Sequence, residues 1–360
     1  MVTVVGGPIA GANVLSLDPA KAAQRLGALY YLPPTTHTGT KLVFGLGVGD
    51  SWTMTGTGFG NFDANGVPHS GTITGMTFTV DGVLESSFSN LKLGMQSVWT
   101  AVIAAHNGDL NAAPNLLSQI FARNDTFTSN SGGSADGDTF LGLGGADSFN
   151  MTNSGPGSRV YGGDGNDSFS FGAKFQPQTG DIVDGGAGTD TLALDGKHTA
   201  VYYQPATLAP GSPSIADGPA HGLVLTAASL VHVEQITLAA GSNYGLIFND
   251  ANVAHGAVLT ITGSALAATN SLYINGSALV SGGALNVSGG AGNDVLIGGS
   301  GNDTLDGGAG TDTASYATAK AAVTVSLAIS GQQNTVGAGK DTLISIETLI
   351  GSKFNDTFTP

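Results

Sequence analysis

The chain has 360 residues, 41% of them hydrophobic and 10% charged, enough apolar material for a sizeable core and too much for a disordered chain. Its 26 acidic residues outweigh 11 basic ones for a net charge of -15, and no run of Lys or Arg is present to neutralise phosphates, which excludes nucleic acid as a partner and disfavours an anionic membrane surface. No cysteine is present, so disulfides and thiolate metal sites are excluded and stability has to come from packing and from bound ions.

The opening residues MVTVVGGPIAGANVL lack a basic stretch ahead of a long apolar run, so no cleaved N-terminal signal peptide is expected, and no run of 18 apolar residues indicates a membrane span. Asp18 before Pro19 is an N-cap followed by Pro at the first helical position, and Ala20 to Leu32 continues as helix up to Pro33 and Pro34. KLVFGLGVGDSWTMTGTGFG, from Lys41, and GTITGMTFTVDG, from Gly71, read as strands punctuated by turns. Gly45 to Asp50 has the glycines of a dinucleotide loop but runs into strand-like sequence, so it reads as a turn. Helices are expected again over 94–106, with Met95, Val98, Val102 and Ile103 at helical spacing, and over 111–122. Residues 1–123 are therefore expected to form a small α/β domain, acting either as a cap over an exposed strand edge or as a separate binding domain.

At Asn124 the character changes. NDTFT at 124–128 reads as a turn. GSADGDTFL at 133–141 and GLGGADSFN at 142–150 are degenerate copies of a nine-residue unit; GGDGNDSFS at 162–170 and GGAGTDTLA at 185–193 are full ones. Three more run without a gap from Gly289 to Ser315: GGAGNDVLI, GGSGNDTLD and GGAGTDTAS. They share the pattern G-G-x-G-x-D-x-U-x, where U is usually a bulky apolar residue. The glycines make a turn that needs positive φ and leaves no room for Cβ, its carbonyls and Asp face a cation, and x-U-x is a short strand with U inward. The hard-oxygen set implies calcium. Phe140, Phe149, Val160, Phe169 and Leu192 should form an inner apolar row.

Between the two blocks, residues 195–244 contain QPATLAPGSPSIADGP and are too rich in Pro and Gly for regular structure throughout, which suggests a loop. Residues 245–288 then hold a different repeat. Leu246-x-Phe248, Leu259-x-Ile261, Leu272-x-Ile274 and Leu285-x-Val287 recur every 13 residues, and GSAL occurs at Gly263 and again at Gly276. Apolar residues two apart mark one face of a strand. One continuous solenoid through both calcium blocks is the expected arrangement, with two rolls joined by a small β-domain as the alternative.

The nonapeptides resemble the repeats-in-toxin (RTX) family. That resemblance implies a mainly β fold, a parallel β-roll/β-helix solenoid with Ca2+ between its turns, here preceded by the N-terminal α/β domain. The expected divisions are 1–123, a first calcium block at 124–195, a 13-residue-repeat solenoid without calcium at 196–284, and a second calcium block at 285–360. Candidate calcium ligands in the first block are Asp138, Asp147, Gly162, Gly163, Asp164, Gly165, Asp167, Gly185, Gly186, Gly188 and Asp190. In the second block they are Gly289, Gly290, Gly292, Asp294, Gly298, Gly299, Gly301, Asp303, Gly307, Gly308, Gly310 and Asp312. One Asp loop cannot supply the six to eight oxygens calcium prefers, but two stacked loops can. Asp294 and Asp312 are 18 residues apart and should share an ion; Asp303 has only Leu285 and Ala321 at that distance, so its site is partial unless another segment contributes. Asp147 and Asp167 are 20 apart, Asp167 and Asp190 are 23 apart, and Asp138 could pair with the loop at 154–158. The resemblance also implies type I export, through an uncleaved signal near the C-terminus, to the exterior or the cell surface. The chain ends GSKFNDTFTP, which looks like the opening of another nonapeptide, so a longer natural chain is expected.

Catalytic signatures are missing: there is no HExxH, GxSxG, GxxxxGK[ST] or EF-hand pattern. His198, His221 and His232 are the conceivable cluster. The expected role is structural or adhesive, with extracellular polysaccharide as a candidate partner. The alternatives are the export module of a larger exoenzyme and a polysaccharide lyase or epimerase. Nothing in the sequence indicates an oligomeric state.

Overall fold

The computed structural model describes residues 3–6, 34–45, 51–64, 67–80, 83–108, 123–129, 139–173, 175–196 and 222–359. The helices expected over 20–32 and 111–122, the turn at 46–50, Asp138, His198 and His221 lie outside those residues. Strands account for 47% and helices for 7%, so the protein is mainly β, and none of its sheets closes on itself. The chain divides into two compact units, Met1–Asp167 and Ser168–Pro360.

In the first unit, Lys41–Gly45, Ser51–Phe62, Pro68–Val80 and Val83–Gly94 run antiparallel in sequence order. Glycines at 56 and 71 make room for the buried Phe59 ring, since a Cβ at either position would overlap it. The expected helix forms as Met95–His106, immediately after the last of these strands, and packs on Pro68–Val80 and Val83–Gly94. Its buried stripe is Met95, Val98, Trp99, Val102 and Ala105, whereas Ile103 faces outward, one position off the stripe expected for it. Thr3–Gly6 changes the pairing sense: it lies antiparallel to Val83–Gly94 and parallel to Thr126–Thr128. The segment read as a turn at 124–128 is therefore a strand, and it pairs in parallel with Ser148–Met151, Phe127 opposite Phe149. Those two rings stack with centroids 4.6 Å apart, which ties the strand to the core. Thr139–Gly144 and Arg159–Asp164 form a second parallel pair, with Phe140 opposite Val160.

The second unit is built from parallel sheets. Ser168–Phe171, Thr191–Leu194, Gln235–Leu238, Val258–Thr262, Ala284–Gly290, Thr304–Gly308 and Lys340–Ile344 are neighbours in one. Leu223–Val224, Tyr244–Ile247, Leu272–Asn275, Val295–Ile297, Thr313–Ser315 and Thr348–Ile350 are neighbours in another. Regular structure thus resumes by Leu223, inside the stretch expected to loop. Successive 13-residue units alternate between these sheets, so Leu259 lies opposite Leu285 and Leu246 opposite Ile274. Each strand buries alternate residues, and Leu259, Ile261, Leu272, Ile274, Leu285 and Val287 are all core. The tandem nonapeptides pair two repeats on: Val287 lies opposite Leu305 and Leu296 opposite Ala314, each 18 residues away. Beyond them the spacing lengthens, because 316–339 makes an excursion before Leu343 meets Leu305 and Leu349 meets Ala314.

Candidate metal centre

The glycine turns follow from two demands for space. The first glycine of a unit faces the Asp five residues later: a Cβ at Gly142, Gly185, Gly289 or Gly298 would overlap Oδ2 of Asp147, Asp190, Asp294 or Asp303, and one at Gly307 would overlap the Asp312 side chain. Later glycines let neighbouring turns approach, as a Cβ at Gly308 or Gly310 would strike the carbonyl of Gly290 or Gly292, and one at Gly301 that of Gly283. In the first unit Gly163 and Gly165 meet the carbonyls of Leu143 and Gly145, while Gly162 turns its own carbonyl towards Gly142. Gly163, Gly165, Gly186, Gly188, Gly299, Gly308 and Gly310 have positive φ, which a side chain would strain.

Stacking of the turns is fixed by a reciprocal pair of side-chain bonds. The Asp of one turn accepts the backbone N–H of the strand before it: Asp312 Oδ1 from Asp294 at 2.8 Å, Asp294 Oδ1 from Leu272 at 2.7 Å and Asp303 Oδ1 from Leu285 at 2.7 Å. The Asn beside it bonds the other way, Asn293 Oδ1 accepting the Thr311 N–H at 2.9 Å. In the first unit Asp167 Oδ1 accepts from Asp147 at 2.8 Å and Asp147 Oδ1 from Asp125 at 2.7 Å. Asp164 points outward, and only its backbone joins the stack, accepting from the Gly145 N–H at 2.8 Å.

The other carboxylate oxygen is where the site is unfinished. Oδ2 of Asp294, Asp303 and Asp312 is buried and has no hydrogen-bond partner among the described residues. A buried oxygen left this way costs about 1–3 kcal/mol, more if charged. Burial pushes the Asp147, Asp294 and Asp303 carboxyls up to about 7 and raises Asp167 and Asp312 as well. A hard cation reverses that penalty. No three His, Asp or Glu side chains converge among the described residues, so such an ion must draw on the carbonyls of the stacked turns in addition to one or two carboxylates, and those are ligands calcium accepts. The donor set fits the ion.

Four copies of the RTX calcium-binding nonapeptide repeat match residues 158–173 and 286–314. The chain carries RTX repeats. These repeats bind calcium, and in this chain they coincide with the buried carboxylates above. No curated protein and no solved structure matches the chain.

The RTX stack draws in acids that spacing does not reveal. Asp125 sits in a segment without glycines, and Glu234 Oε2 accepts the Asp190 N–H at 2.8 Å. Glu347 Oε2 accepts the Asp312 N–H at 2.8 Å, and Asp341 Oδ1 accepts that of Asp303 at 3.1 Å. Glu234 and Glu347 follow short corners at His232 and Ser345, both at positive φ, where a two-residue turn replaces six residues of glycine loop. Their signal is the tail, an acid followed by x-U: Glu234-Gln-Ile and Glu347-Thr-Leu. Of the histidines, His232 pairs only with Asp184, at 2.9 Å in an exposed position. No helix among the described residues is long and apolar enough to cross a membrane.

Proposed function

We propose that the chain is an exported or surface-held RTX protein whose parallel sheets form a calcium-stabilised β-roll/β-helix, and that its work is structural or adhesive. The carrying observation is the coincidence of an 18-residue strand register with buried, unpartnered carboxylate oxygens at Asp294 and Asp312. On this reading Asp294 and Asp312, with carbonyls of the turns at 289–293 and 307–311, hold one ion, and Asp147 with Asp167 and their turns hold another. Residues 1–123 serve as the cap over the first parallel strands. Each site adds about 2.7 kcal/mol when free calcium is 100 times its dissociation constant. Micromolar or lower cytosolic calcium leaves the array loose, and calcium outside the cell folds it after export. The missing catalytic signatures favour this role over a lyase or epimerase, and Thr, Ser and Asn at outward strand positions suit contact with extracellular polysaccharide.

Far-ultraviolet circular dichroism of the full chain during calcium chelation tests the reading. The expected result is loss of β-structure that returns when calcium is restored. A spectrum unchanged in excess chelator overturns it.

A further inference from the structure

We infer that residues 336–341 are an unrecognised sixth-residue-acid turn, and that with the turn at 298–303 they hold a further calcium ion between Asp303 and Asp341. The inference rests on the reading that the glycine turns bind calcium. The sequence there is V-G-A-G-K-D followed by T-L-I, a nonapeptide altered at one turn position, and it lies outside the residues that match the repeat.

Each bond of the Asp294/Asp312 pair has a counterpart. Asp341 Oδ1 accepts the Asp303 N–H at 3.1 Å, as Asp312 Oδ1 accepts that of Asp294. Asn302 Oδ1 accepts the Lys340 N–H at 2.9 Å, as Asn293 Oδ1 accepts that of Thr311. Thr342 N–H reaches the Asp303 carbonyl at 2.8 Å, and Thr313 N–H the Asp294 carbonyl at 2.9 Å. Gly339, at φ +96°, lies so close to the Gly301 carbonyl that a Cβ would overlap it, as at Gly310 over Gly292.

The independent sign of a ligand is Asp303. It is 2% exposed, and its Oδ2 has no partner among the described residues while pointing into its own turn at Gly298. Asp341 differs in one respect that follows from Val336. Val336, which takes the place of the first glycine, sits outward at φ +65°, and Asp341 Oδ2 accepts instead from Tyr316 Oη at 3.1 Å and Thr335 Oγ1 at 3.3 Å. Those hydroxyls orient the carboxylate as outer partners of a metal ligand do. Counting 18 residues from Asp303 finds Ala321, because the excursion at 316–335 displaces the partner to position 341.

Calorimetric titration of the metal-stripped full chain with calcium, comparing wild type, Asp312→Asn and Asp341→Asn, counts the sites. One ion fewer in each variant is expected. A full count in Asp341→Asn beside a reduced one in Asp312→Asn overturns this site and leaves the reading of the glycine turns standing; a full count in both overturns that reading too. Terbium alone, as a luminescent stand-in for calcium, supplies a second readout, since Tyr316 lies close enough to sensitise an ion at Asp341. Tyr316→Phe should keep the calcium count and lose part of the tyrosine-excited terbium emission. Undiminished emission in that variant overturns the site even if Asp341→Asn does not fold.

Discussion

Stripped of calcium, the protein should become less stable as pH rises through neutrality, and Asp303 sets the scale. Burial raises its carboxyl from 3.8 to about 7. The group is therefore neutral in both folded and unfolded chains below pH 4, and between 4 and 7 the folded chain holds a proton that the unfolded one releases. Stability from this group is complete at the acid end and is lost as pH climbs through 7. At 1.36 kcal/mol per pH unit the loss is about 4 kcal/mol, or roughly 1 M in urea midpoint for an m-value of about 3 kcal/mol/M. Asp147 and Asp294, also raised by burial, push the same way. With saturating calcium the slope should reverse, because protons then compete with the ion for the same oxygens. Urea unfolding followed by circular dichroism at pH 5, 6, 7 and 8, with and without calcium, measures both slopes. A calcium-free midpoint that is flat or rises with pH refutes the argument that these carboxylates lack a counter-charge of their own.

Three further outcomes follow from particular contacts. Gly289→Ala puts a methyl group onto Asp294 Oδ2, so calcium affinity should fall with little change in composition or charge; calorimetry that finds it unchanged contradicts the packing described. Glu347→Ala removes the acceptor of the Asp312 N–H and should cost about 1–3 kcal/mol at saturating calcium, whereas Glu347→Gln keeps an acceptor and should stay near wild type in urea midpoint. Phe127→Ala empties a fully buried position stacked on Phe149 and should cost about 3–5 kcal/mol, read as a lowered unfolding midpoint with calcium binding at 162–167 preserved.

The parts of the fold set by a local period were legible in the sequence. The 18-residue register and the inner row of Phe140, Phe149, Val160, Phe169 and Leu192, all buried, follow from counting. The 95–106 helix follows from spacing, although Ile103 shows that neighbouring apolar residues on a helix cannot all face the core. What escaped counting were partners brought in across excursions of variable length. Asp341 and Glu347 lie 38 and 35 residues from the amides they satisfy, and Glu234 lies 44 from its own. A parallel ladder constrains which strands meet but not how much chain passes between them. Asp125 escaped for the opposite reason: its turn has no glycine, and its place in the stack comes from Thr126–Thr128 pairing with strands on both sides.

The two GSAL turns give the second block a direction. Leu266 and Leu279 are buried inside them, and the turns sit directly against the first glycine loop on each edge, with Ala291 N–H bonded to the Leu266 carbonyl and Ser300 N–H to that of Leu279. These turns are closed by a side chain and need no ion, so they can form while calcium is still scarce. The loop at 289–294 and the loop at 298–303 then each find a finished surface to settle on, and ordering by calcium extends a template instead of starting one. Growth from a fixed floor removes the slow nucleation step, and it means that the metal-free half of the array governs how quickly the metal-dependent half assembles.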